Sequence, residues 1–310
     1  MPRRAHWIFA ALIVLTADRF VLAQAEPKDA FFDSDGVKIH YLTQGQGEPI
    51  VLIHGFTGNA RFHWAASDGP MAKLAQHYRV IALDNRGHGL SDKPHDPKQY
   101  GSTMADDIIR LLDHLDVKKA YLVGYSMGGF ITMKVLTTHP DRVLAAVVGG
   151  AGWMQQADDT PDSPLHQLAD SLDKGEGFGP LLEALTPKDR AKPSPEQIRM
   201  RSHLIAATND VQALAAAARG MSGLAVTEAQ LKANRVPTFC FIGGVDPLKE
   251  SADRLDGVMA NLTIEVLPEA DHGQAARSPR FLEAIQTHLA KHRATPAQAE
   301  VVKPAALVGG

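Results

Sequence analysis

One cysteine, Cys240, stands in 310 residues, so no intramolecular disulfide can form and stability must come from packing. Cys240 lies in the apolar run "VPTFCFIGG", the setting of a buried structural thiol. A nucleophilic thiol would need exposure and a neighbouring base. Charge of one sign is also lacking: the formal net charge is −3, and acidic and basic residues are interspersed. No basic patch of the kind that neutralises a phosphate backbone follows from that pattern, and nucleic acid is not expected as a partner. No H-E-x-x-H occurs, nor a histidine and carboxylate cluster at ligand spacing, so no metal is expected. No G-x-G-x-x-G opens a helix after an early strand, which removes the dinucleotide enzymes, and no cofactor is expected. Internal repeats are absent as well.

Long hydrophobic runs are missing except near the N-terminus, where Arg3 and Arg4 precede the uncharged Trp7 to Ala17 and Ala23-Gln24-Ala25 supplies small residues. That is the form of a cleaved signal peptide over residues 1–25, with a mature chain beginning near Glu26. Asp18 and Arg19 stop the run short of the roughly 20 apolar residues of a spanning helix. The expectation is an exported protein, periplasmic or secreted, with no stable membrane span after cleavage. Residues 295–310, rich in Ala, Pro and Val without period, read as a flexible tail.

At 45% hydrophobic residues the chain can bury a large core. "VKIHYLTQ" (Val37 to Gln44) alternates with period two, and "PIVLIHG" (Pro49 to Gly55) is a continuous apolar run that ends in glycine. "YRVIALD", "AYLVGYS", "RVLAAVVGG", "TFCFIGG" and "TIEVLP" repeat that form, which is how strands buried on both faces look. Amphipathic stretches such as Met104 to Leu115 and Phe281 to Leu289 lie between them. Strand and helix in alternation predict a mostly parallel sheet covered by helices on both faces, formed by residues 26–150 and 228–294. Residues 151–227 break the alternation with Ala- and Leu-rich helical pieces separated by Pro, Gly and Asp clusters. Inserted after a strand's C-terminal end, where open α/β sheets bind ligands, this segment is expected to act as a helical cap. Its Leu181, Leu182, Leu185, Leu204, Ile205, Leu214 and Met221 either wall a pocket for an acyl chain or pack among themselves.

"GYSMGG" (Gly124 to Gly129) falls between a buried strand and a helix, and Gly124-Tyr125-Ser126-Met127-Gly128 matches G-x-S-x-G, the turn that exposes a nucleophilic serine. The glycines make room for the sharp turn, and the following helix points its first amides toward developing negative charge. A serine hydroxyl needs a general base and a group to orient that base. His272, among fourteen histidines, sits between the last strand and the last helix, and Asp246 sits just past the preceding strand. The chain order Ser126, Asp246, His272 is the order this elbow uses. Asp253 reads as helical and Asp271 is adjacent to the histidine, which leaves Asp246 as the acid. "HGFTGN" (His54 to Asn59) follows a strand and turns at glycine, so the Phe56 N–H, with the Met127 N–H, forms the expected oxyanion hole. His54 reads as a support for that loop.

Four elements, "HGFTGN", "DNRGHGLSDKP", "GYSMGG" and the pair "GGVDP" and "ADHG", resemble the α/β-hydrolase fold family over roughly residues 31–292, specifically its Ser-Asp-His esterase and lipase-like members with a helical cap. The resemblance implies an α/β-hydrolase fold, a mostly parallel sheet flanked by helices with the cap inserted after the sixth strand. It also implies that Asp84, Arg86 and His88 are structural. At Asp271-His272-Gly273 the chain departs from relatives that place glycine before the histidine and a bulky residue after it. Similar proteins that open epoxides or displace halide place Asp at the elbow, and epoxide hydrolases use cap tyrosines; this chain has Ser126 and no tyrosine in residues 153–227. The resemblance therefore implies carboxylic ester hydrolysis through an acyl-enzyme, the partner being a small-molecule ester or related acyl substrate. C–C bond hydrolysis, lactone hydrolysis and acyl transfer remain open on the same triad, as does a non-catalytic ligand receptor. The sequence does not fix the oligomeric state.

Overall fold

The computed structural model describes residues 26–66 and 69–293; the expected signal peptide and the tail from 295 lie outside the described residues. Eight strands form one sheet: β1 (Lys28–Ser34), β2 (Val37–Gln44), β3 (Pro49–Ile53), β4 (Arg79–Leu83), β5 (Ala120–Tyr125), β6 (Val143–Gly149), β7 (Thr238–Gly243) and β8 (Leu262–Leu267). Their spatial order is β1-β2-β4-β3-β5-β6-β7-β8. The β1–β2 and β2–β4 pairs are antiparallel, and every pair from β4–β3 to β7–β8 is parallel. A mostly parallel sheet flanked by helices is therefore the architecture, with an antiparallel corner at one edge.

The apolar runs explain the layers. Every residue of β3 is buried, and its side chains alternate between two cores. Val51 and Ile53 join Ile81, Leu122 and Val148 under the helices Ser102–His114 and Met127–Thr138. Ile50 and Leu52 join Val80, Tyr121, Val123 and Phe241 against Ala60–Trp64, Pro70–Leu74 and Pro279–Lys291. β1, which the apolar pattern did not announce, is an edge strand that exposes Lys28, Asp29, Phe31 and Asp33 and buries Phe32 and Ser34. Cys240 is fully buried, its thiol 3.5 Å from the Ala151 carbonyl, and burial pushes its pKa up to about 12.

The order of the strands locates the site. From β3 the chain crosses to β4 on one side, then returns to place β5 on the other side of β3. Where crossovers reverse in this way, a crevice opens beyond the C-terminal ends of the two central strands. The residues that follow β3 and β5 line it.

Between β6 and β7 the described residues form helices and no strand. Pro164–Asp173 and Val211–Gly220 pack together: the run Ala213 to Ala218 is buried against Leu168, Ala169 and Leu172, small side chains allowing a close approach. Gly179–Ala184 buries no residue, and Pro195–Ala206 buries only Ser202. The two stalks of the insertion are tied to each other: Trp153 Nε1–H donates to the Val226 carbonyl (2.8 Å), and Val226 N–H to the Met154 carbonyl (3.1 Å). Lys134, on the helix after β5, donates to the Ala225 carbonyl (2.9 Å).

Candidate active site

Ser126 is the hinge between β5 and the helix Met127–Thr138, with φ 56° and ψ −121°. A non-glycine residue in that region is strained and is held there by its surroundings. Ser126 N–H donates to the Gly149 carbonyl at 2.8 Å, and its own carbonyl accepts from the Gly129 N–H (2.8 Å) and Phe130 N–H (3.1 Å). Gly128 shows why the turn is so tight: a Cβ there would lie 2.0 Å from the Ile53 carbonyl oxygen. The helix packs directly against the end of β3, which brings the two loops of the crevice together. Met127 is the first residue of that helix, so its N–H belongs to the group of amides with no partner inside the helix.

His272 and Asp246 meet across 26 residues of sequence. His272 Nδ1 lies 2.8 Å from Asp246 Oδ2, and both side chains are largely enclosed, 12% and 0% exposed. Asp246 Oδ1 accepts from the Leu248 N–H at 2.9 Å, so the carboxylate is held on both oxygens. With the carboxylate as acceptor, Nδ1 carries the proton and Nε2 is the basic nitrogen. The backbone of His272 is fixed by Tyr125, whose hydroxyl donates to its carbonyl at 2.6 Å. Burial, then the negative charges of Asp246 and Asp271, hold the Tyr125 phenol well above its ordinary pKa, so it stays a donor. Tyr125 immediately precedes Ser126, and its ring centroid lies 5.3 Å from that of His272. Gly150 completes the fit: at φ 56°, a Cβ would stand 2.9 Å from His272 Cε1.

Asp271, set aside as a triad acid, has a different occupation. Its side chain caps the helix His272–Arg277 by accepting from the Gln274 N–H at 2.8 Å. It also pairs with Arg190 of the insertion at 2.6 Å. Asp253 pairs with Lys249 at 2.7 Å on the helix Lys249–Asp253.

The loop after β4 is a buried polar hub. Burial raises the Asp84 carboxyl, but His40 and the amides of Leu90 and Ala60 outweigh it and hold the pKa at about 2. Arg86 meets Asp107 through two donors, both at 2.7 Å, and adds the Gln99 carbonyl at 2.9 Å. His88 spans the Arg86 and Phe56 carbonyls. None of the three faces the cavity described next.

A cavity of about 470 Å³ contains Ser126, Met127 and Phe56 in its wall, within the usual range for small-molecule sites. Phe130, Trp153, Met154, Leu165, Leu181, Leu185, Met221 and Leu248 make most of it apolar. Arg254 enters near Trp153, bridging Asp158 (3.1 Å) and the Trp153 carbonyl (3.0 Å). Of the seven apolar residues singled out in the insertion, Leu181, Leu185 and Met221 line this cavity. Leu214 is buried in the helix pair, Leu182 and Ile205 pack on the core, and Leu204 is 62% exposed. Helical spacing records that a face is apolar, not which neighbour it meets.

No motif or spacing singles out His63. It lies on the short helix Ala60–Trp64, and its Nδ1 accepts from the Gly55 N–H at 3.3 Å. Burial, then the proximity of His272, lowers its pKa to about 4. Among fourteen histidines, the signal would have been one imidazole eight residues beyond the "HG" turn, which has no periodic signature.

A model of the alpha/beta hydrolase fold matches residues 48–178. The chain is 28% identical over 272 residues to the 2-hydroxymuconate semialdehyde hydrolase of Pseudomonas sp. strain CF600, covering 83% of this chain and 92% of that one. It superposes on a solved N-acyl homoserine lactone degrading enzyme with TM-score 0.67 and 28% identity, over 83% of this chain and 99% of the other. Identity is higher, 37%, to the dihydrolipoyllysine-residue acetyltransferase component of the acetoin cleaving system of Cupriavidus necator, but over only 128 residues. The chain spans 32% of that protein, and 44% and 41% of two further curated relatives. The relatives aligned along most of their length are hydrolases of one architecture, and the eight-stranded sheet with its order and crossovers is that architecture. This chain is an α/β-hydrolase-fold protein.

Proposed function

We propose that the protein is a serine hydrolase that cleaves carboxylic esters through an acyl-enzyme. Ser126 Oγ attacks the ester carbonyl carbon while His272 Nε2 takes its proton. The oxyanion accepts hydrogen bonds from the Phe56 and Met127 amides, each worth roughly 3 kcal/mol in comparable sites. The C–O bond breaks as His272 returns the proton to the leaving alkoxide. Water then gives a proton to Nε2 and attacks the acyl carbon; the bond from that carbon to Ser126 Oγ breaks as Nε2 returns the proton to Oγ, and the acid leaves. Asp246 keeps the proton on Nδ1 throughout. The helices between β6 and β7 act as the cap that closes the pocket, and the chain is exported after cleavage near Ala25.

One observation supports this reading above the rest: a strained serine after β5 opens into an apolar cavity, and the residue before it, Tyr125, holds the carbonyl of a histidine whose Nδ1 meets a buried carboxylate. A second reading, C–C bond hydrolysis on the same residues, is favoured by the likeness to the semialdehyde hydrolase along 92% of its length. Lactone hydrolysis, which the likeness to the lactone degrading enzyme favours, is the cyclic case of the ester reaction.

The test is turnover of p-nitrophenyl esters from acetate to palmitate, beside Ser126→Ala and an N-acyl homoserine lactone. The expected result is turnover by the wild type that peaks at short to medium acyl chains, given a cavity of about 470 Å³, and background rates for Ser126→Ala. A folded wild type that turns over no ester or lactone, but cleaves a vinylogous 1,5-diketone, would establish the second reading instead.

A further inference from the structure

The peptides on either side of the Phe56 N–H in the turn after β3 are held by identifiable partners. The Gly55 carbonyl accepts from His54 Nδ1–H at 2.8 Å and from the Gly58 N–H at 3.1 Å. In a trans peptide the carbonyl and the N–H point in opposite directions, so anchoring the Gly55 oxygen turns the Phe56 N–H away from those donors. The preceding peptide is held at both ends: the His54 carbonyl accepts from Asn85 Nδ2 at 3.2 Å, and the Gly55 N–H donates to His63 Nδ1 at 3.3 Å. His88 Nε2 faces the Phe56 carbonyl. Three imidazoles from three segments thus grip consecutive peptides of one turn.

Of these, His54 and His88 are fully buried, as framework residues would be, whereas His63 is partly open and stands beside the nucleophile. A Cβ placed on Gly55 would lie 3.3 Å from both His63 Cε1 and Ser126 Cβ, so the ring and the serine flank the same glycine. Acceptance at Nδ1 puts the neutral ring's proton on Nε2. A protonated ring would set an N–H against the Gly55 N–H and break the bond. The titratable groups around it are His54, whose ring stacks at 6.5 Å, Tyr125 at 6.4 Å, and His272; none of these is an anion that would favour a cation.

We propose that His63 is a positioning residue for the oxyanion amide: its neutral Nδ1 holds the Gly55 N–H so that the Phe56 N–H presents to the acyl oxygen on Ser126. The inference rests on the ester-hydrolysis reading. Its chemistry is transition-state specific, because a misaimed amide fails where charge develops, not where the neutral ester binds.

Three variants separate this role from packing. His63→Phe keeps a ring and removes the acceptor; His63→Asn places Oδ1 near the position of Nδ1; His63→Ala removes both. Each is assayed for kcat and KM on p-nitrophenyl butyrate, for inhibition by an alkyl trifluoromethyl ketone, and for Tm. The ketone adds to Ser126 Oγ and its carbonyl becomes an oxyanion, with the serine proton passing to His272. Expected are a fall in kcat of about 10- to 100-fold for Phe and Ala with KM within about twofold, less than the loss of a whole donor. Ki for the ketone rises in step with the fall in kcat/KM, and Asn recovers most of both. Wild-type kcat in His63→Phe, or Asn as impaired as Phe at equal Tm, overturns the proposal. Should Ala fail to fold, the Phe and Asn pair decides. If the wild type itself turns over no ester, the ester reading falls first and this role with it.

Discussion

The turn that carries Ser126 and the outer helices of the insertion are built on opposite rules. Around Ser126 the backbone is crowded to the limit: the helix after β5 rests on the Ile53 carbonyl, and the neighbouring strands are buried throughout. In the insertion, Gly179–Ala184 buries nothing and Pro195–Ala206 exposes Met200 (58%) and Leu204 (62%). The first region is enclosed by buried backbone; the outer helices only partly bury Leu182 and Ile205 against the core, and Arg190 between them pairs with Asp271 at the surface. Few buried contacts imply low local opening free energy. On the proposed function, substrate entry is therefore expected at the insertion's outer helices, with the turn at Ser126 unmoved.

The sharpest way to break that contrast is Gly128→Ala. Its Cβ has no space beside the Ile53 oxygen, and the obstacle is backbone on both sides. Either the helix or β3 must shift, and activity should fall by more than about 10³-fold, since displacements of about 1 Å at a catalytic centre cost about 10²-fold or more. Full activity with an unchanged Tm would show that the turn is looser than described. Next comes Asp246→Asn, expected to lower kcat by about 10³- to 10⁴-fold by analogy with the same change in a serine protease, while leaving the fold intact. A pre-steady-state burst would show whether acylation is the impaired step.

Within the insertion the contrast becomes internal. Leu168→Ala, in the packed helix pair, should cost about 2–5 kcal/mol. Leu204→Ala, mostly exposed, should stay within about 0.5 kcal/mol. Urea denaturation of both variants would decide, and equal effects would mean that the insertion is one uniformly packed layer. His288 gives a smaller effect with a definite sign. Burial, then His292, lowers its pKa from 6.5 to about 4, so the unfolded chain binds a proton there more readily than the folded one. Stability is full above pH 6.5, is lost as pH falls toward 4, and changes no further below that. A His288→Phe variant should lose less Tm between pH 7 and pH 4 than the wild type. Smallest is Arg190→Ala: the pair with Asp271 is half exposed (42% and 22%), so its loss should cost under about 1 kcal/mol and vanish at high salt.

These regions also differed in how far the sequence disclosed them. The turn at Ser126 was readable because its glycines mark backbone that no side chain could share, and a short apolar run such as "AYLV" that stops at glycine reads as a buried strand. Asp246 and His272 were placed by chain order, and the structure brings them to 2.8 Å. β1 escaped notice since it is charged and half exposed, with only Phe32 and Ser34 fully inward. The exchange of β3 and β4 in the sheet has no local signature, because register and neighbour order depend on crossovers of many residues. His63 was invisible for a related reason: its bond to Gly55 exists only once a turn and a short helix have folded back on each other.

Position 126 has one more consequence. Among the described residues, four that are not glycine hold a positive φ: Asp35, Asp116, Glu269 and Ser126. The first three are of kinds that turns accept or that solvent relieves; the serine sits between a buried tyrosine and a buried methionine. Glycine would relax that backbone by about 1 kcal/mol, so Ser126→Gly should melt at or above the wild-type temperature while being inert. The most durable version of this molecule is thus a dead one, and the distance between the two melting points measures what durability the living chain forgoes to keep a hydroxyl aimed outward.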